Sequence, residues 1–203
     1  SYHLNINGKM TKFNKCDSYF DVKPNEWFSR EHKEEKLYEP GTVATLYLLS
    51  KIIKGNIIFY DIGALFGYFS MLVNTFFADS YCVLVEGNPL SCKCIKQVKD
   101  ENIRFKILNV LLGSENVKQN YLINGFSFLK LNTIGAKILR IERFVKNFTK
   151  TILNLFGANF PKKQLMVAEI EEVTLPQIFE TRNTQRTEIF KLDTEGYQSI
   201  FIP

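Results

Sequence analysis

Short apolar runs alternate with amphipathic stretches along the middle of the chain. The apolar runs predict buried strands, and the amphipathic stretches predict the helices that join them. In chain order these are a helix that begins within 39–42 and ends before Gly55, a strand at 57–61, a helix at 66–77, a strand at 81–86, a helix at 89–99 and a strand at 103–109. Because strands and helices of this length alternate, they predict parallel βαβ units and an α/β fold. The uninterrupted apolar run at 57–60 favours a sheet that is covered on both faces.

The pattern changes on both sides of this region. Residues 1–38 are polar and mixed, so we expect an N-terminal lead-in with little regular structure, followed by one domain over 39–203. After Gly113 the alternation breaks, and the remaining runs predict further strands and a short helix. These are strands at 117–123, 165–170 and 189–193, and a helix that begins at Thr174 with Pro176 in its first turn.

Residues 127–164 form a basic segment, which we interpret as an insertion. Apolar residues recur at alternating intervals of four and three from Ile134 to Leu155, so they fall on one stripe of a helix over 133–156. Within the segment eight basic residues stand against Glu142 alone, in a chain whose net charge is +5. Such a helix fits a lid packed on the body, attachment to an anionic membrane surface or pairing with a partner helix. Nucleic-acid binding is not expected, because no interleaving of aromatic and basic residues accompanies the charge.

Candidate chemistry lies where two of the predicted strands end. Gly63 and Gly67 follow the first strand in a turn that leads into the next helix, where free backbone N–H groups can receive a ligand. Glu86 closes the next strand, 25 positions beyond Asp61, and a carboxylate there can accept hydrogen bonds from both hydroxyls of a ribose. Together the turn and the carboxylate indicate an adenosine-containing cofactor. The spacing Gly63-x-x-x-Gly67 differs from Gly-x-Gly-x-x-Gly and therefore disfavours NAD.

The remaining composition excludes several kinds of site. With four cysteines, of which Cys92 and Cys94 are nearly adjacent, and only two histidines, we expect no metal site. We interpret the cysteines as reduced thiols, which favours a reducing compartment such as the cytoplasm. The apolar run at 62–78 is shorter than the ~20 residues that cross a bilayer, so we do not expect it to span a membrane. No secretory signal is visible, although targeting stays open because the chain starts at Ser1 rather than Met.

Three motifs follow one another along the chain. They are Asp61-Ile62-Gly63-Ala64-x-x-Gly67-Tyr68-Phe69-Ser70, Glu86-x-Asn88-Pro89 and Lys191-Leu192-Asp193-Thr194-Glu195-Gly196. With Val173-Thr174-Leu175 upstream of the last motif, they resemble the FkbM family of S-adenosylmethionine-dependent methyltransferases over roughly 39–203. The resemblance implies a class I methyltransferase (Rossmann-like), mostly parallel sheet, with S-adenosyl-L-methionine as its cofactor. It also implies methylation of a hydroxyl oxygen on a small molecule or carbohydrate.

The resemblance assigns roles to the motif residues. Gly63 and Ala64 would let backbone amides face the methionine end of the cofactor, with Asp61 orienting that end. Glu86 would hold the ribose hydroxyls, and Asn88 would shape the neighbouring wall. The expected cofactor-binding residues are Asp61, Gly63, Ala64, Gly67, Glu86, Asn88 and, for the adenine edge, Asn109.

Methyl transfer to a hydroxyl also requires a group that removes the hydroxyl proton. Since the chain offers no usable histidine, Asp193 and Glu195 are the candidate catalytic residues. Much of the acceleration can come from holding donor and acceptor in near-attack geometry. An alternative, equally compatible with the residues, is that Asp193 caps a turn and Glu195 begins a helix.

The chain departs from the family pattern at three positions. Leu65 stands where Asn is usual, Gly87 where Pro is usual, and Gln198 where an acidic residue commonly follows. The chain also stops shortly after the Asp193 strand, so we expect a sheet that is truncated after its fourth strand, from a fragment or a shortened gene product. These departures keep two alternatives open. One is a catalytically inactive Rossmann-like binding module, and the other is an adaptor that binds a membrane surface or a partner through 133–156.

Overall fold

A computed structural model of the chain describes residues 1–18, 23–31, 37–99, 103–124, 127–131, 166–179 and 186–193. Within these ranges short strands and helices follow one another along the chain. They are β1 (Tyr2–Ile6), β2 (Lys9–Phe13), α1 (Pro24–Glu31), α2 (Pro40–Ile52), β3 (Ile57–Ile62), α3 (Tyr68–Phe76), β4 (Ser80–Val85), α4 (Pro89–Val98), β5 (Phe105–Leu108), β6 (Val110–Leu112), β7 (Val117–Asn124), β8 (Ser127–Leu131), β9 (Met166–Val173), α5 (Leu175–Ile178) and β10 (Thr187–Leu192).

A four-stranded parallel sheet lies at the centre, with the strand order β10-β3-β4-β5. From β3 the chain passes through α3 to β4 and through α4 to β5, and it later returns to β10 on the other side of β3. The α/β class is therefore confirmed, as a parallel sheet flanked by helices that is compatible with a Rossmann-like fold. The direction of winding reverses between β3 and β10, which is where open α/β sheets bind ligands.

Strand β3 is buried on both of its faces, as its apolar run predicts. Ile57 and Phe59 join the cluster that packs against the helices α3 and α4, whereas Ile58 and Tyr60 join a second cluster on the opposite face. Because side chains alternate along a strand, Asp61 falls on the same face as Phe59, toward α3. The alternation thus delivers a carboxylate to the helix side of the sheet, one position before β3 ends.

The apolar run at 62–78 divides into the end of β3, a glycine turn and α3. In the described part of the chain no helix is both long enough and apolar enough to cross a bilayer. The N-cap of α2 is Glu39, which adopts a left-handed conformation and makes no side-chain cap. The hydroxyl of Thr42 donates to the carboxylate of Glu39 instead, over 3.0 Å.

The prediction that the lead-in has little regular structure was wrong. Strands β1 and β2 form an antiparallel hairpin, and α1 follows it. Asn7 and Gly8 occupy the turn with φ of 50° and 81°, the left-handed conformations that a two-residue hairpin turn requires. Phe13 and Phe28 are fully buried in the same core cluster as α3, so this segment is part of the folded unit.

A second sheet follows the order β6-β9-β7-β8. The strands expected at 117–123 and 165–170 are present as β7 and β9, which pair antiparallel. Strand β8 was not predicted, and it occupies the start of the expected insertion at 127–164. The helix expected over 133–156 lies outside the described residues. The strand predicted at 103–109 is present as β5, and after Asn109 the chain enters the second sheet as β6, which was not predicted.

Candidate functional site

The glycine turn after β3 is held by hydrogen bonds to the neighbouring strand. The amides of Gly63 and Ala64 both donate to the carbonyl of Val85, over 2.9 and 3.1 Å. The amide of Gly67 closes the turn on the carbonyl of Ala64, over 2.7 Å. The predicted contact of the Gly63 and Ala64 amides with a cofactor therefore requires them to exchange partners, and it stays a prediction.

Gly63 is required where the turn meets the end of β10. Its φ is 79°, and a Cβ at this position would lie 1.9 Å from the backbone oxygen of Asp193. The amide of Asp193 donates to the carbonyl of Ile62 over 2.9 Å, which fixes the two strand ends against each other. Gly67 also has a positive φ, of 73°, at the start of α3. The two glycines thus allow β3 to turn sharply beside β10.

Asp61 lies beneath this turn with a fully buried side chain. Its Oδ2 accepts a hydrogen bond of 2.8 Å from the hydroxyl of Ser70 in α3. Its Oδ1 accepts no hydrogen bond from any described residue, and the Nζ of Lys191 lies 3.8 Å away. Burial raises the pKa of Asp61, and the ammonium of Lys191 and the hydroxyl of Ser70 oppose that rise.

Lys191 is a site residue to which the sequence analysis gave no role. It pairs in register with Asp61 across β10 and β3, and only 13% of its side chain is exposed. Its Nζ lies 3.2 Å from Oδ2 of Asp193 and 4.7 Å from the centre of the Phe69 ring. The signal in the sequence is the pair Lys191 and Asp193, which are two positions apart and so face the same side of a strand.

Glu86 follows β4 and joins the glycine turn to the loop before α4. Its Oε2 accepts the amide of Leu65 over 2.8 Å, and its Oε1 accepts the amide of Asn88 over 2.7 Å. The side chain is buried, with 7% of the residue exposed, and burial raises the pKa of Glu86 to about 7. The carboxylate therefore points at the turn and at the loop before α4. Leu65 adopts a left-handed φ of 51°, a conformation that Asn adopts more readily than Leu.

The two asparagines of the predicted site support its loops. Asn88 caps α4, since its Oδ1 accepts the amide of Leu90 over 2.9 Å. Asn109 donates from Nδ2 to the carbonyls of Glu86 and Gly87, over 2.8 and 3.0 Å. Both side chains therefore fix the backbone around Glu86, and any contact with a ligand would be additional to this role.

The structure brings most of the predicted site residues together at the carboxyl edge of the parallel sheet. They are Asp61, Gly63, Ala64, Gly67, Glu86, Asn88, Asn109 and Asp193. The side chain of Asp193 is 41% exposed, whereas Asp61 and Glu86 are buried. Glu195, the second candidate base, lies outside the described residues. The carboxylates of Asp61 and Asp193 thus lie on either side of the Lys191 ammonium, at 3.8 and 3.2 Å.

A cleft of about 210 Å³ opens at the opposite edge of the sheet, where β4 and β5 begin. Its walls include Thr11, Asn74, Ser80 and Arg104, and they include none of the predicted site residues. In the described ranges no group of three histidine, cysteine, aspartate or glutamate side chains could hold a metal ion.

Comparisons with models of protein families, with curated proteins and with solved structures found no match to this chain. The resemblance to the FkbM family therefore stays a prediction that depends on three motifs.

Proposed function

We propose that the chain is an S-adenosylmethionine-dependent methyltransferase of the class I, Rossmann-like type, which methylates a hydroxyl on a small molecule or carbohydrate. The observation that carries the proposal is the position of Glu86. Its carboxylate ends the strand next to β3 and contacts the glycine turn at Leu65, beside the point where the sheet reverses its winding. A ribose bound over this edge would meet a carboxylate that is already oriented.

Glu86 retains the capacity to bind a ribose. Each carboxylate oxygen has two acceptor positions, and each oxygen of Glu86 accepts one backbone hydrogen bond in this structure. The described residues therefore leave one acceptor position on each oxygen unused, and we propose that the hydroxyls of a ribose take them. The hydrogen bonds to the backbone hold the carboxylate in place, so it loses little conformational freedom when a ligand binds.

The charges at the edge suit a cationic ligand. The Oδ1 of Asp61 is buried and accepts no hydrogen bond from the described residues, so an ammonium group would supply its missing partner. When bound, S-adenosylmethionine supplies such an ammonium group and an activated methyl group on a sulfonium. Asp193 is more exposed than Asp61 and lies on the same side of β10 as Lys191, which supports it as the proposed acceptor of the proton from an acceptor hydroxyl.

Calorimetric titration with S-adenosylhomocysteine, and with its analogue that lacks the ribose 2′-hydroxyl, tests the proposal. We expect the wild-type chain to bind the full ligand at least about tenfold more tightly, the effect of one hydrogen bond to a charged group. In Glu86→Gln the two ligands should differ less. Glu169→Gln is the matched control, because Glu169 is exposed on β9 and should leave the difference unchanged. If the folded wild-type chain binds neither ligand, the proposal is rejected.

A second candidate function is a Rossmann-like module that binds an adenosine-containing ligand without methyl transfer. It is favoured by the amides of Gly63 and Ala64, which are engaged by Val85 rather than directed toward a ligand. Binding of S-adenosylmethionine without turnover on a panel of hydroxylated acceptors would select this candidate. Methylated product, detected by mass spectrometry, would exclude it.

The adaptor alternative depends on residues 133–156, which lie outside the described residues. It stays a prediction from the amphipathic pattern. Flotation with anionic liposomes, compared with a variant whose lysines within 133–156 are replaced by glutamine, tests it. Equal flotation of the two proteins would reject charge-dependent membrane attachment.

A further inference from the structure

Lys191 is a nearly buried charge in the parallel sheet, with 13% of its side chain exposed. It faces Asp61 on β3 and Asp193 beyond the end of its own strand, and the ring of Phe69 packs against its ammonium. Lysine is rarely buried unless its charge is paired, because water no longer stabilises the ammonium. Its position between two carboxylates therefore indicates a specific electrostatic role.

The two distances from the Nζ of Lys191 show that it interacts differently with the two carboxylates. The ammonium lies 3.2 Å from Oδ2 of Asp193, within the range of a charged hydrogen bond. It lies 3.8 Å from Oδ1 of Asp61, which is too far for a hydrogen bond but close enough for a strong charge interaction. Lys191 thus favours the ionised form of Asp61 without forming a hydrogen bond to its Oδ1.

Asp61 depends on this cation because its other neighbours oppose ionisation or are neutral. Asp193, Glu86 and the thiol of Cys82 surround it from β10 and β4, and each carboxylate disfavours a further negative charge. The hydroxyl of Ser70 in α3 also favours the ionised form, through its hydrogen bond to Oδ2. Among the groups of the described chain that act on Asp61, the positive charge comes from Lys191.

We propose that Lys191 is a positioning residue, which acts through Asp61 to make the site accept a ligand that carries an ammonium group. Lys191 holds Asp61 as a carboxylate, and Oδ1, which accepts no hydrogen bond from the described residues, then accepts the ammonium of the ligand. This inference deepens the proposed function, because it takes the ligand to be the amino-acid end of the methyl donor. Without the lysine charge, Asp61 would bind a proton in place of the ligand over a wider pH range.

The test follows the ionisation of Asp61 by carbonyl-carbon NMR, assigned with Asp61→Asn, between pH 4 and pH 10. In Lys191→Met the midpoint should rise by at least one pH unit, a tenfold change in the acid constant. Lys191→Arg should restore the wild-type midpoint. Lys106→Met is the matched control, because Lys106 is exposed on the neighbouring strand β5 and its loss should leave the midpoint unchanged.

The affinity for S-adenosylhomocysteine, measured over the same pH range, gives the second measurement. The pH at which the affinity changes should rise together with the Asp61 midpoint in Lys191→Met, and it should return to the wild-type value in Lys191→Arg. A merely structural role of Lys191 would lower affinity equally at every pH. An unchanged midpoint, or an affinity loss without a shift in pH dependence, would overturn the inference.

Two further outcomes are also decisive. If Lys191→Met does not fold at neutral pH, Lys191→Met/Asp61→Asn should recover folding, since the unpaired carboxylate is removed, and failure of that pair would overturn the inference. If the wild-type chain binds no S-adenosylhomocysteine, the proposed function fails. The titration midpoint of Asp61 would then still test the action of Lys191 on this carboxylate. A raised midpoint in Lys191→Met would support that action, and an unchanged midpoint would overturn it.

Discussion

The buried carboxylate of Glu86 should make the stability of the protein depend on pH. The ordinary pKa of this group is 4.5, and burial raises it to about 7 in the folded chain. Between these two values the folded state binds more protons than the unfolded state. Stability from this group is therefore complete below pH 4.5 and is lost as the pH rises through 7.

The size of the effect follows from the difference between the two pKa values. At about 1.36 kcal/mol for each pH unit, the rise of the Glu86 pKa to about 7 corresponds to ~3 kcal/mol over the whole window. Between pH 5 and pH 8 the expected loss is about 2.5 kcal/mol, because the unfolded chain is already partly ionised at pH 5. Burial also raises the pKa of Asp61, which adds a loss of the same sign in the wild type.

Urea denaturation at several pH values, for the wild type and Glu86→Gln, isolates the contribution of Glu86. The variant keeps the shape of the side chain but does not titrate. From pH 5 to pH 8 the decrease in its free energy of unfolding should therefore be smaller than that of the wild type by about 2.5 kcal/mol. Glu169→Gln should keep the wild-type dependence, since Glu169 is exposed on β9. Parallel curves for the wild type and Glu86→Gln would refute the reasoning, as would a wild type that becomes more stable toward pH 8.

Three further substitutions test other parts of the structure by the same measurement of unfolding. Gly63→Ala should lower the free energy of unfolding by several kcal/mol, because its Cβ would overlap the backbone of Asp193 and its φ is 79°; a loss below about 1 kcal/mol would contradict this contact. Phe28→Ala should cost about 3–5 kcal/mol, because the ring is fully buried, and a neutral effect would mean that α1 does not pack on the core. Tyr121→Phe should cost about 1–3 kcal/mol, because its hydroxyl donates to the buried carboxylate of Glu172; equal stability would indicate that another group replaces it.

The elements around the candidate site could be predicted because each carries its own signal. The apolar run of β3, the glycines after it and Pro89 at the start of α4 fix three boundaries to within about two residues. The strand predicted at 189–193 is present as β10, which pairs with β3. The hairpin of β1 and β2 was not predicted, but its sequence carries a signal. Asn7-Gly8 lies between two segments in which apolar and polar residues alternate, which is a strong indication of a hairpin turn.

Other features depend on contacts that no local pattern contains. The partnership of Lys191 with Asp61 requires the register between β10 and β3, whose sequences lie far apart in the chain. The sequence places Gly63 and Ala64 in a turn, but it does not reveal whether their amides bind a ligand or the carbonyl of Val85. The division of one apolar run into β5 and β6 depends likewise on which sheet offers each strand a partner.

The aromatic contacts of the N-terminal segment determine where this protein can be shortened. Phe13 stacks on Tyr68 with ring centres 5.6 Å apart, and Trp27 meets Phe66 at 5.6 Å. Phe66 and Tyr68 flank Gly67, so these ring contacts stabilise the glycine turn to which the carboxylate of Glu86 is hydrogen-bonded. A version trimmed to the span of the three motifs would lose these ring contacts and expose apolar side chains of the core to water. We therefore expect the glycine turn to be less stable in a protein that starts at residue 39 than in one that starts at residue 1.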